Sequence, residues 1–262
     1  MSLSEFFHIE SSSNTNFKLW KKLTTSIGIK KNHQLLIYGE KIIKEVSQNN
    51  NINVLSVILS HNNKGDATEL LNSFKNKKSV STFLLSNELY KQLDIFNTQY
   101  PILVIKKPES RSIDTKELLN TKSPNLYLYL ALSDPLNLGA VIRSATAFDA
   151  RAIILLKESC SQFNPKCIRS SVGLSLTAPI YCGPSIHELP KTLDFIGLDM
   201  HGEPINKFKW PITCHLLLGE EGQGLPKEMN RNNIQIPMVD DVESLNANVA
   251  ASIAMYSYFA SK

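Results

Sequence analysis

The stretch from residue 126 to residue 156 constrains the fold more than any other: "LYLYLAL" (126–132), then "SDPLNLGAVIRSATAFDA", then "AIILL" (152–156). Two short apolar runs flank a segment in which Leu138, Val141, Ile142, Ala145 and Phe148 recur at helical spacing. The unit therefore reads strand, helix, strand, with the helix beginning near Asn137. Strands joined by such a crossover lie parallel. Three further strand-length runs, "DFIGLDM" (194–200), "HLLLGEE" (215–221) and "IQIPM" (234–238), precede a closing helix from about Asn246. Five strands with helical crossovers predict an α/β fold around a mainly parallel sheet, whose ligand crevice lies beyond the carboxyl ends of the strands.

The three segments of most unusual composition all fall at that end. They are "DPLNLGAVIR" after the first strand, "GEEGQGLP" after the fourth and "PMVDDVESLNAN" after the fifth. Gly219, Gly222 and Gly224 suit either a plain turn or a close approach of backbone to a ligand. They do not fit the G-x-G-x-x-G dinucleotide fingerprint, because Pro226 follows and no glycine spacing matches it, so a nucleotide-cofactor oxidoreductase loses support. Arg143, beside the apolar stripe of its helix, reads by itself as a solvated edge residue with a packed stem. Ser244 and Asn246 open the last helix, where Ser and Asn serve as caps; they read equally as a cap with surplus polarity or as groups facing a ligand.

The front half alternates in the same way. "HQLLIYG" (33–39), "NVLSVILS" (53–60), "STFLLS" (81–86) and "PILVIK" (101–106) are strand-length runs, and "EKIIKEVSQ" places Ile42, Ile43 and Val46 on one helical face. Residues 107–125 turn polar, with Pro108 and Pro124 and no apolar run, and mark a linker; residues 1–15, rich in Ser and Asn, read as loose. The expected organisation is a small basic α/β domain over 16–106, the linker, and a larger domain over 126–262. Residues 1–110 hold 14 Lys and Arg against 9 Asp and Glu, a net of +5, and residues 111–262 hold 14 against 15. A basic front half fits either a polyanion-binding domain or a lysine-rich solvated surface.

Other classes drop out on pattern. No apolar run is long enough to span a bilayer and the N-terminus lacks a secretion signal, so the expectation is a cytoplasmic protein without membrane contact. Cys160, Cys167, Cys182 and Cys214 form no C-x-x-C pair, the six histidines form no ligand pattern, and no metal site is expected. Neither G-x-S-x-G nor a P-loop is present.

Taken together, the three strand-end segments resemble the three motifs of the SpoU (TrmH-like) family of RNA ribose 2'-O-methyltransferases. "DPLNLGAVIRSATAFDA" resembles the first, with Asn137, Gly139 and Arg143 at the family's positions. "LLLGEEGQGLP" is similar to the second, with Glu221 on its acidic residue, and "IQIPMVDDVESLNANVAASIAMY" to the third, with Pro237, Ser244, Leu245 and Asn246 in place. "NPKCIRSSVGLSLTAPI" (164–180) resembles the family's connecting region. The resemblance implies a deep trefoil knot of the SPOUT type, S-adenosylmethionine held bent in the knot loops, and a homodimer. It implies Gly219, Leu218, Ile236 and Leu245 at the cofactor, and Asn137, Arg143, Glu221, Ser244 and Asn246 at the reacting ribose. "LLIYGEKIIKEV" is similar to the start of the small RNA-binding domain many members carry, with Tyr38 where an acidic residue is usual. Glu220 and Ala247-Asn248 also depart from the usual residues, the latter replacing Val-Ser.

The chemistry sets limits on these roles. A ribose 2'-hydroxyl needs in-line orientation and loss of its proton during transfer, and a guanidinium stays protonated, so Arg143 is not an ordinary base; the resemblance implies instead that it clamps phosphate and hydroxyl at the target nucleotide. The sulfonium leaves as a neutral thioether and asks for no metal. The expected substrate is ribosomal RNA; the alternatives are transfer RNA, or a catalytically idle RNA-binding protein of the same fold.

Overall fold

The computed structural model describes residues 6–65, 67–74, 80–114, 116, 125–219, 224–226, 229, 232–239, 241 and 244–262. The chain divides into two units: residues 1–108 with 163–173, and residues 109–162 with 174–262.

The first unit is built on a five-stranded mixed sheet in the order β1-β4-β3-β5-β2. Strands β1 (Phe7–Ile9), β3 (Val54–Ser60) and β4 (Ser81–Leu85) run parallel, and β5 (Ile102–Lys106) lies antiparallel between β3 and β2 (Gln34–Ile37). The four expected strands are present. The fifth, β1, overturns the reading of residues 1–15 as loose: a polar neighbourhood hides "FHI", whose Ile9 is buried while the backbone pairs with β4. Helices α1 (Thr15–Lys22), α2 (Ser26–Asn32), α3 (Glu40–Gln48), α4 (Ala67–Ser73) and α5 (Asn87–Leu93) alternate with the strands. In α3 the predicted stripe of Ile42, Ile43 and Val46 is buried, and Glu40 pairs with Lys44 one turn on at 2.8 Å. Tyr38 is a core residue whose hydroxyl donates to the Leu93 carbonyl at 3.0 Å, which satisfies its polar end in place of an acidic group. Also in this unit is α7 (Pro165–Ser170), whose Arg169 guanidinium lies 4.6 Å from the centre of the Phe96 ring.

The second unit carries a seven-stranded sheet, order β12-β10-β11-β7-β8-β9-β6, with every neighbouring pair parallel. Its strands are β6 (Arg111–Ser112), β7 (Leu126–Leu130), β8 (Ala152–Leu155), β9 (Ile180–Cys182), β10 (Phe195–Pro204), β11 (Cys214–Leu218) and β12 (Asn232–Gln235). The five expected strands form one end and the middle. The other edge is added by β9 and by β6, which lies within the segment read as a linker. β7, β8 and β11 are buried along their whole lengths, as a parallel sheet covered on both faces requires. Helix α6 (Pro135–Ala147) follows β7 directly, and α8 (Ala247–Ala260) closes the chain and packs against α6. Helix α6 begins two residues before the expected Asn137. Asp134 caps it, accepting from the Leu136 and Asn137 backbone N–H groups at 3.3 and 3.2 Å, and Pro135 occupies the first turn, where its missing N–H costs nothing.

Candidate active site

Three features gather at the carboxyl ends of β7 and β11. The strands end side by side, with the Ala131 N–H donating to the Leu218 carbonyl at 3.1 Å. Four residues beyond β7 the α6 cap begins. Leu138, Val141, Ile142 and Ala145 are buried and anchor the helix; Asn137 stays half-buried and Arg143 lies on its exposed side. The helix that α6 meets brings the third motif: Asn248 Nδ2 donates to Asn137 Oδ1 at 3.3 Å, and the Ser144 and Ser252 hydroxyls lie 2.8 Å apart. Ala251 and Ala254, both fully buried, let the helices approach closely.

The opening of α8 uses its polar residues in a specific way. Asn246 is the N-cap, its Oδ1 accepting from the Asn248 backbone N–H at 2.9 Å, so the capping reading of this stretch is correct for Asn246. Ser244 is exposed and Leu245 half-buried just before it. Ile236, at the end of β12, is half-buried, and Pro237, Met238 and Val239 after it are exposed.

At the second motif, Leu218 is buried as the last residue of β11 and meets the loop through its backbone. Gly219 is where the loop closes on itself: a Cβ there would lie 2.2 Å from the Gly224 carbonyl oxygen and 2.8 Å from the Leu225 nitrogen. Gly224 takes φ +70°, a conformation that side chains disfavour. Glu220 and Glu221 lie outside the described residues.

The structure therefore brings Asn137 and Asn246 together through Asn248, sets Gly219 beside the end of β7, and leaves Arg143 and Ser244 open to solvent. Asn248, which the motif comparison marks only as a departure from the usual Ser, is the residue to which it assigns no role. The available signal was a second asparagine in the first turn of an otherwise apolar helix, a position that disfavours it unless a partner is present.

The fold and these strand-end loops define an α/β domain of the SpoU methyltransferase type. Two crystal structures share it along nearly the whole chain. One is an AdoMet-bound rRNA methyltransferase from Sinorhizobium meliloti, with TM-score 0.77 and 19% identity over 97% of this chain and 98% of that one. The other is the SpoU methyltransferase AviRb from Streptomyces viridochromogenes in complex with AdoMet, with TM-score 0.77 and 21% identity over 94% and 97%. The model of the SpoU rRNA Methylase family matches residues 125–256, half of the chain, and the chain belongs to this family. Among curated relatives, the "23S rRNA (guanosine(2553)-2'-O)-methyltransferase RlmP" of Bacillus subtilis is 26% identical over 95% of this chain and 97% of its own length. The "Ribosomal RNA small subunit methyltransferase G 2" of Syntrophobacter fumaroxidans is 35% identical over 97% of this chain, which spans about half (49%) of that relative.

Proposed function

We propose that the chain is an S-adenosylmethionine-dependent RNA methyltransferase acting on a ribose 2'-hydroxyl of ribosomal RNA. The observation that carries this reading is the hydrogen-bonded meeting of Asn137 and Asn248 at the strand ends, which joins two of the three motif segments at one place. The Gly219 turn supports a cofactor site by its shape: the backbone of Gly224 and Leu225 returns so close that a Cβ on Gly219 would collide with it, so only glycine lets the strand-end loop take this form. Gly219, Ile236 and Leu245, with the backbone of Leu218, would hold S-adenosylmethionine, which when bound supplies an electrophilic methyl group. Arg143, Ser244 and Asn246 hold the phosphate and sugar of the target nucleotide, and Glu221 completes the set. Ordered donors of this kind orient an oxygen in line and restrain its motion.

The first unit, with its excess of lysine, binds the RNA backbone outside the target nucleotide. Two copies of the chain pair through α8, where Val249, Tyr256 and Phe259 are 43, 59 and 47% exposed along one helical side beside half-buried Phe148. The 26% identity with RlmP, a 23S rRNA methyltransferase, over 95% of this chain and 97% of that relative supports ribosomal over transfer RNA. Among the described residues no helix is long and apolar enough to cross a membrane. A cytoplasmic place of action is part of this reading, because the substrate belongs to the ribosome.

Mapping 2'-O-methyl groups in total RNA from cells with and without the protein tests the reading. One ribosomal position is expected to lose its methyl group; an unchanged map, or a position lost only from transfer RNA, overturns the substrate. Calorimetry with S-adenosylmethionine separates an enzyme from an idle RNA-binding relative, since the latter gives no heat of binding.

A further inference from the structure

Building on the site assignment above, we propose that Asn248 is a positioning residue that sets which end of the Asn137 amide faces the substrate. Asn248 Nδ2 donates to Asn137 Oδ1, and the Asn248 backbone N–H donates to Asn246 Oδ1. One residue thus engages the carbonyl oxygens of both asparagines of the site. A side-chain amide is planar, with an acceptor at one end and two donors at the other. With their oxygens turned onto position 248, Asn137 and Asn246 turn their NH2 ends the opposite way. In this orientation they offer N–H donors, and not carbonyl acceptors, to ribose and phosphate oxygens.

Position 248 is itself fixed. The Ser252 hydroxyl lies 2.7 Å from the Asn248 carbonyl oxygen and 2.8 Å from Ser144 Oγ, which ties the first turn of α8 to α6. The Asn248 side chain therefore reaches Asn137 from an anchored backbone, half-buried between two packed helices. Replacing it with Asp removes the donor and leaves only acceptors, so the Asn137 amide must turn its NH2 end toward α8 to keep a bond.

The test measures methyl transfer from S-adenosylmethionine into total RNA from cells lacking the protein, alongside calorimetric S-adenosylmethionine binding and thermal melting. Asn248→Ala is expected to melt and to bind S-adenosylmethionine as the wild type does, while kcat falls about tenfold, the scale of one hydrogen bond. Asn248→Asp is expected to fall further, and in spectra of asparagine-labelled protein to shift the side-chain NH2 signals that Asn137→Ala abolishes. The double variant Asn137→Ala with Asn248→Ala is expected to be no slower than Asn137→Ala alone, because Asn248 acts through Asn137. A wild-type kcat in both Asn248 variants, or losses that multiply in the double variant, overturns this inference and leaves the site intact. A wild-type kcat in Asn137→Ala overturns the site assignment and this inference with it.

Discussion

At Gly219 a hydrogen atom stands where any other residue would drive a carbon into the returning backbone of Gly224 and Leu225. Backbone on both sides leaves nothing flexible to yield, so Gly219→Ala must open the loop. We expect it to weaken S-adenosylmethionine binding by at least about tenfold, measured by calorimetry, with the first unit unaffected. Arg143 presents the opposite case, an exposed side chain on the outer side of its helix. Arg143→Ala should cut methyl transfer by about a hundredfold or more, with S-adenosylmethionine affinity held within a few-fold. A fully active Arg143→Ala protein refutes its role as the clamp.

Among the elements, α6 shows what a cap does for a site. Asp134 closes the two N–H groups that open the helix, one of them on Asn137. Asp134→Ala should cost about 1 kcal/mol, read as a melting temperature lower by ~2–4 °C, and should loosen Asn137 enough to slow transfer. The elements that sequence revealed are those with a period or an uninterrupted apolar run: α3 with Ile42, Ile43 and Val46, and β7, β8 and β11 with no polar residue except His215. The elements it missed, β1, β6 and β9, are two or three residues long, too short for alternation to register, and owe their form to a neighbour's hydrogen bonds. The same division runs through the site. Asn137, Arg143, Gly219 and Asn246 stand in ordered motifs, whereas Asn248 acquires its role only when α6 and α8, more than a hundred residues apart, come into contact. The apolar stripe points to a start near Asn137, whereas Asp134-Pro135, a cap and first-turn pair, marks the start of α6 two residues earlier.

For the whole molecule, the second unit carries a pH limit in its core. His215 is buried on β11, stacked on Tyr127, with its Nδ1 3.0 Å from the Tyr129 hydroxyl. Burial pushes its imidazole down to about 4 from the ordinary 6.5, against an opposing pull from Asp194. The unfolded chain therefore takes up this proton first as the pH falls. The contribution is complete above 6.5 and is lost as the pH drops through about 4, on the order of 3 kcal/mol in all. The difference in stability between wild type and His215→Gln, measured by urea unfolding, should change by this amount between about pH 7 and 4, and parallel profiles would contradict it. The pairing proposed through α8 is tested at the same scale: Tyr256→Glu, on its exposed side, should sediment as single copies where the wild type sediments as pairs, without lower helix content, and a wild type that sediments as single copies overturns the pairing.

The membership of α7 in the first unit bears on how this protein can be taken apart. Its eleven-residue piece, 163–173, sits in the gene between β8 and β9 of the other unit, yet it supplies the Arg169 cation over Phe96 and the Phe163 ring beside Lys107. A stop codon or protease nick after Pro108 therefore releases a body stripped of one flank. No single cut in the sequence divides this protein into the two bodies its fold makes.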